Sequence, residues 1–98
     1  LASIIFINRN PSDISTLLYP NPVNEILNYQ FNNGISEITN IEIIDITGRV
    51  VHVEQYSTTI GLNTIKINTK TLADGVYSLK IIKQSTGRMY IEKFIKSK

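Results

Sequence analysis

The chain has 98 residues, carries a net charge of +2 and contains no cysteine. That length suits one domain with one modest core. The charge is too small for a nucleic-acid footprint, and the missing thiols exclude a disulfide scaffold, a Cys-ligated metal and a cysteine nucleophile.

Residues 1–13, LASIIFINRNPSD, read as a linker from an upstream region. Ser3 to Ile7 has the apolar content of a short strand, and NRNPSD reads as loop. Leu1 is not a start Met, and the opening lacks the basic start and cleavage pattern of a signal peptide. The chain is therefore expected to be the tail of something larger, with the domain proper spanning 14–98. No apolar run approaches the ~20 residues of a membrane-spanning helix.

Leu17, Leu18 and Tyr19 open the domain as a short strand. The Pro20-Asn21-Pro22 step ends it or carries the chain to another sheet, because each proline removes a backbone donor and fixes φ. Leu27, Tyr29 and Phe31 alternate with Asn28 and Gln30, the period of a half-buried strand, and Asn32–Gly34 turns the chain. Ile41, Ile43, Ile44 and Ile46 predict a strand buried on one face and partly covered on the other. Asp45 to Arg49 leads to the next strand, which holds Val50, Val51 and Val53. Asp45 is placed to accept from donors of that turn, and Gly48 is free to take positive φ. Ile65 and Ile67, then Tyr77, Leu79 and Ile81, alternate in a further pair, and Gln84–Gly87 turns into a last strand at RMYIEKFIK. Ile, Val, Thr and Tyr dominate and Ala is scarce, which suits pleated surfaces better than helices. About seven short strands with regular turn signals predict an all-β, immunoglobulin-like Greek-key β-sandwich. Within it, Leu72-x-x-Gly75-x-Tyr77 fits a tyrosine corner, whose hydroxyl bonds back to upstream backbone.

The chemical inventory is thin. His52, the sole histidine, is flanked by Val51 and Val53, which puts it on the polar face of a strand and away from general-base duty. The carboxylates are scattered singly. Glu42 and Asp45, the closest in sequence, lie on opposite faces of an unbroken strand, so no paired acid/base site emerges. Calcium wants several oxygen ligands in one loop, zinc more than one histidine, and no Gly-rich phosphate loop is present. No catalytic residue, metal or cofactor is assigned. Tyr19, Tyr29, Phe31, Tyr77 and Phe94 fall at core or half-core positions, and Tyr56 and Tyr90 are the best placed for exposure. Late in the chain Lys80, Lys83, Arg88, Lys93, Lys96 and Lys98 face only Glu92. They read either as charges that keep late strands from aggregating or as a partner-docking set.

Four short motifs stand in a fixed order: LYPNPVNEIL at Leu18–Leu27, IEIIDITGRVV at Ile41–Val51, LADGVYSLKI at Leu72–Ile81 and EKFIK at Glu92–Lys96. Together they resemble the C-terminal sorting domain, type A, of proteins exported by the type IX secretion system of Bacteroidota. Members of that family show a Tyr-Pro-Asn-Pro start, an Asp-x-x-Gly-Arg-x-Val turn, a Leu-x-x-Gly-x-Tyr turn and a Lys-Phe-x-Lys ending. The resemblance runs from about Leu17 to Lys98, with Ser97 and Lys98 making the last motif slightly internal.

The resemblance implies a secretion signal, not an enzyme. Such a domain directs an upstream cargo in the same chain, already in the periplasm, across the outer membrane through the type IX machinery. It is then removed by a sortase-like peptidase, leaving the cargo secreted or at the cell surface. By resemblance, Pro20, Asn21, Pro22, Asp45, Gly48, Val51, Leu72, Gly75 and Tyr77 are expected to build the fold. Arg49, Lys93, Phe94 and Lys96 are expected to meet partners; Arg49, Lys93 and Lys96 have no evident structural duty, and a basic last strand suits edge addition to a partner's sheet. Neither nucleic acid nor a transmembrane segment belongs to this reading, and unpaired edge strands are expected to permit a homodimer in isolation. The alternative is a carbohydrate-binding or adhesive β-sandwich module of a cell-surface protein, which predicts exposed, coplanar aromatics at Tyr56 and Tyr90.

Overall fold

The alternating segments all become strands, and each buries its apolar set against the facing sheet. The computed structural model describes residues 16–98. The linker, the Ser3–Ile7 strand and the boundary at residue 14 lie outside the described residues. The strands are β1 (Thr16–Tyr19), β2 (Ile26–Asn33), β3 (Ile38–Asp45), β4 (Val50–Ser57), β5 (Gly61–Asn68), β6 (Gly75–Lys83) and β7 (Met89–Lys96). They form a three-stranded sheet in the order β1-β2-β5 and a four-stranded sheet in the order β4-β3-β6-β7, with every ladder antiparallel. Strands β2 and β5, like β3 and β6, are neighbours in space but not in sequence, which is Greek-key connectivity. Among the described residues, no helix is long and apolar enough to cross a membrane.

The core lies between the sheets. Leu27, Tyr29, Phe31, Ile65 and Ile67 come from one inner face, and Ile41, Ile43, Tyr77, Leu79, Ile81 and Phe94 from the other. A fully buried aliphatic side chain contributes roughly 1.5–3 kcal/mol, so the alternation seen in the sequence carries most of the driving force. Ile44 is only half-buried and Ile46 is 81% exposed, as a strand with one covered face requires.

Strand β4 departs from simple alternation. Ile43 stands opposite His52 but Ile44 stands opposite Val50, so Val51 is the extra residue of a bulge. A one-residue shift exchanges the two faces of a strand. Val51 packs against the core, Val53 is 62% exposed, and His52 and Glu54 share the inward face with their partners Ile43 and Ile41. The polar-face placement of His52 is thereby corrected. It is half-buried, with Nε2 2.6 Å from Glu54 Oε1. Two aromatic expectations also change. Tyr56 and Tyr90 are half-buried against the core, and Tyr19, expected at a core or half-core position, is 37% exposed.

Candidate functional site

Strand direction brings the four sequence motifs to one end of the sandwich. The first precedes the start of β2, the second joins β3 to β4, the third joins β5 to β6, and the fourth ends β7. The ladders fix the coincidence, since Asp45 pairs with Tyr77 and Tyr77 pairs with Phe94. The eight residues of β3 hold this pole roughly 26 Å from the opposite one, at ~3.3 Å per residue.

The second motif is a turn organised by one carboxylate. Asp45 Oδ1 accepts from the Thr47 hydroxyl at 2.6 Å and from the backbone N–H groups of Thr47 and Arg49 at 3.0 Å each. Gly48 N–H donates to the Asp45 carbonyl at 3.0 Å, and Asp45 N–H to the Arg49 carbonyl at 2.9 Å. Gly48 sits at φ +92° with open space where a Cβ would go, so conformation, not room, favours glycine here. The Thr47 hydroxyl, then the Arg49 and Thr47 backbone donors and the Arg49 charge, hold the Asp45 carboxyl below the usual carboxylate range. Arg49 Nε lies 3.3 Å from Asp45 Oδ2, yet the Arg49 side chain is 77% exposed. An exposed pair of this kind adds little stability and leaves most of the guanidinium facing water.

The first and fourth motifs form a single clasp. Beyond Tyr19 and the two cis X–Pro bonds, the chain crosses to the other sheet, and Val23 makes a parallel bridge to Lys96. Asn21 Oδ1 accepts from Ile95 N–H at 2.9 Å. Val23 N–H donates to the Ile95 carbonyl at 2.8 Å, and Ser97 N–H to the Val23 carbonyl at 2.9 Å. The lower half of the β7 edge is therefore occupied from within the chain. Lys96 is buried, at 3% exposure, and its ammonium donates to the Asn24 carbonyl. The expectation that Lys96 lacks a structural duty is corrected: it ties the last strand to the segment before β2. The reason is parity, because Phe94 and Lys96 share the inward face of β7.

The third motif closes the tyrosine corner. The Tyr77 hydroxyl donates to the Ala73 carbonyl at 2.6 Å, Leu72 packs against the core, and the Tyr77 ring stacks on Phe94 with centroids 5.6 Å apart. Lys93, one position from Phe94, points outward and is exposed. It borders a recess of about 300 Å³ whose wall includes Asp45, Gly48, Val76 and Tyr77. Of the residues expected to meet partners, Arg49 and Lys93 are at the surface of this pole, and Phe94 and Lys96 support it from inside.

The opposite pole holds a polar cluster that the sequence did not signal. Asn33 Nδ2 donates to Glu37 Oε2 and to the Thr58 hydroxyl at 3.0 Å each, and its Oδ1 accepts from Lys83 Nζ at 3.0 Å. That ammonium also lies over the Tyr90 and Phe31 rings, 5.3 and 5.7 Å from their centroids. Partial burial works against ionisation of Glu37, but hydrogen bonds from Ser85 and Asn33 and the Lys83 charge outweigh it and lower its pKa. In the sequence these residues are polar letters at strand ends and in loops, and the assembled sheets bring them together.

Residues 17–97 match the sequence model of a family described as the secretion system C-terminal sorting domain. No curated protein matches the chain. Among solved structures the chain is similar to PorZ, an essential bacterial surface component of the type IX secretion system of Porphyromonas gingivalis. The TM-score is 0.60 and the identity 20% over 86% of this chain. The match spans 12% of PorZ, and at that identity the likeness concerns the fold.

Proposed function

This chain belongs to the secretion system C-terminal sorting domain family, and on that premise we propose that it directs an upstream cargo from the periplasm across the outer membrane through the type IX machinery. The family is one of sorting signals, not of enzymes. The observation that carries the proposal is the convergence of all four motifs on one pole. A signal read as an extended tail would need its terminal residues free. Here Phe94 and Lys96 are buried and Ile95 is hydrogen-bonded to Asn21 and Val23. The machinery therefore reads a folded surface, on which Arg49 and Lys93 are the motif residues offered for contact. After passage a sortase-like peptidase removes the domain, and the cargo is secreted or held at the cell surface.

The test is an export assay in a bacterium with an intact type IX system and in a translocon mutant, with residues 1–98 fused behind a periplasm-directed fluorescent protein. Translocon-dependent fluorescence outside the cell is the expected result. Arg49→Glu with Lys93→Glu is expected to leave the fold intact and cut export about tenfold, the scale of losing one well-placed contact. Periplasmic retention of the folded wild-type fusion in both strains rejects the proposal.

A further inference from the structure

Apart from Lys93, which faces outward on β7, the motif residues face inward or lie within turns, and the strand residues between them face outward. Ile46 follows Asp45, Val50 follows Arg49, Val76 stands between Gly75 and Tyr77, and Ile95 between Phe94 and Lys96. All four occupy unspecified positions of the motif patterns. All four are nevertheless aliphatic, and they are exposed by 81, 45, 43 and 45% respectively. Singly exposed aliphatics are ordinary; contiguous ones mark interaction surfaces.

Joined through Ile44, these four belong to one patch. Val76 stands opposite Ile95 in the β6–β7 ladder. Ile95 directs its N–H to Asn21 and its carbonyl to Val23, away from β6. Val76 and Ile95 are therefore a non-hydrogen-bonded pair, the kind whose side chains stand closer. Ile46 and Val76 line one recess together with Ile44 and Lys93, and Val50 stands opposite Ile44 on the same outer face. Arg49 adjoins Val50, and Lys93 lies two residues from Ile95 on the same face of β7.

We propose that this outward aliphatic row, framed by Arg49 and Lys93, is the docking surface of the domain, and that its partner presents apolar side chains flanked by carboxylates. Charge selects that chemistry. Two cations frame the row, while Asp45, the carboxylate at the recess, is already engaged by Thr47 and Arg49. The other motif residues build the pole, and Arg49, Lys93 and the aliphatic residues between the motif positions make the contacts. The inference rests on the export reading above and names the surface that reading requires.

The experiment uses the same fusion of the full chain, with Ile46→Ser, Val76→Thr and Ile95→Thr combined, and Lys66→Glu on the outer face of the three-stranded sheet as control. The expected result is an unchanged circular dichroism spectrum, export reduced about tenfold or more, and a control exported like wild type. Wild-type export of a folded triple variant overturns the docking row and leaves the export reading standing. Retention of the wild-type fusion brings down both. If the triple variant does not fold, Ile46→Ser alone, at the most exposed position, gives the same decision. Should the purified wild-type chain be dimeric at micromolar concentration and the triple variant monomeric, the row is a self-association face and the proposal is overturned.

Discussion

A few side chains at the motif pole do the work of many contacts. Asp45 satisfies three donors of its turn with one oxygen, and the Tyr77 hydroxyl spans the next loop to reach Ala73. Replacing Tyr77 by Phe keeps the ring stacked on Phe94 and removes that bond alone. Urea unfolding is expected to show a loss of about 1 kcal/mol, the net contribution of a hydrogen bond whose remaining acceptor, on exposed Ala73, can turn to water. An unchanged midpoint would mean the corner is held by packing of the ring. Thr39 presents the opposite case. Its hydroxyl is fully buried and has no hydrogen-bond partner among the described residues. Thr39→Val keeps the branched shape and removes the unpaired oxygen, so it is expected to be neutral or to stabilise by about 1 kcal/mol. Destabilisation in the same experiment would reveal a partner for the hydroxyl.

At the scale of the strand, β7 and β4 are the two edges of the four-stranded sheet, and each is modified along its length. The β7 edge is occupied at Ile95 by Asn21 and Val23, so edge addition to a partner's sheet, which a basic last strand suggests, has the stretch from Met89 to Lys93 to work with. Strand β4 instead carries the bulge at Val51, a device that bends an edge strand and interrupts its pairing. The late lysines divide in the same way. Lys83 and Lys96 are hydrogen-bonded within the fold, whereas Lys93 is at the surface. A single role for the whole basic set therefore does not describe them.

For the molecule as a whole, the two poles differ in chemistry. The motif pole gathers the clasp, the tyrosine corner and the exposed aliphatic row. The opposite pole is held by the Asn33–Glu37–Lys83 cluster. Because its hydrogen bonds and the Lys83 charge lower the Glu37 pKa below its ordinary value of 4.5, Glu37 supplies stability above that value. The contribution is lost as pH falls through the lower, folded value. Wild-type stability is thus expected to decline below about pH 4.5, and a Glu37→Gln variant to decline less steeply in that window, as followed by thermal melting across a pH series. Parallel curves would show that this cluster does not contribute to acid sensitivity.

The sequence by itself determined the strand count, the Greek-key sandwich, the Asp45 turn and the tyrosine corner. All of these follow from period-two alternation, turn chemistry and local hydrogen bonds that act over a few residues. Four motifs in order also made the family legible. Tertiary structure alone decided which face each side chain took where alternation slipped, as at His52 beyond the Val51 bulge, and which lysines were structural. Lys96 and Asn24 are far apart in the chain, and no local rule reveals that a carbonyl waits for that ammonium. The same holds for Ile46, Val50, Val76 and Ile95: pairing sets Val76 against Ile95 and Val50 against Ile44, and only the assembled sheet brings the turn residue Ile46 beside Val76.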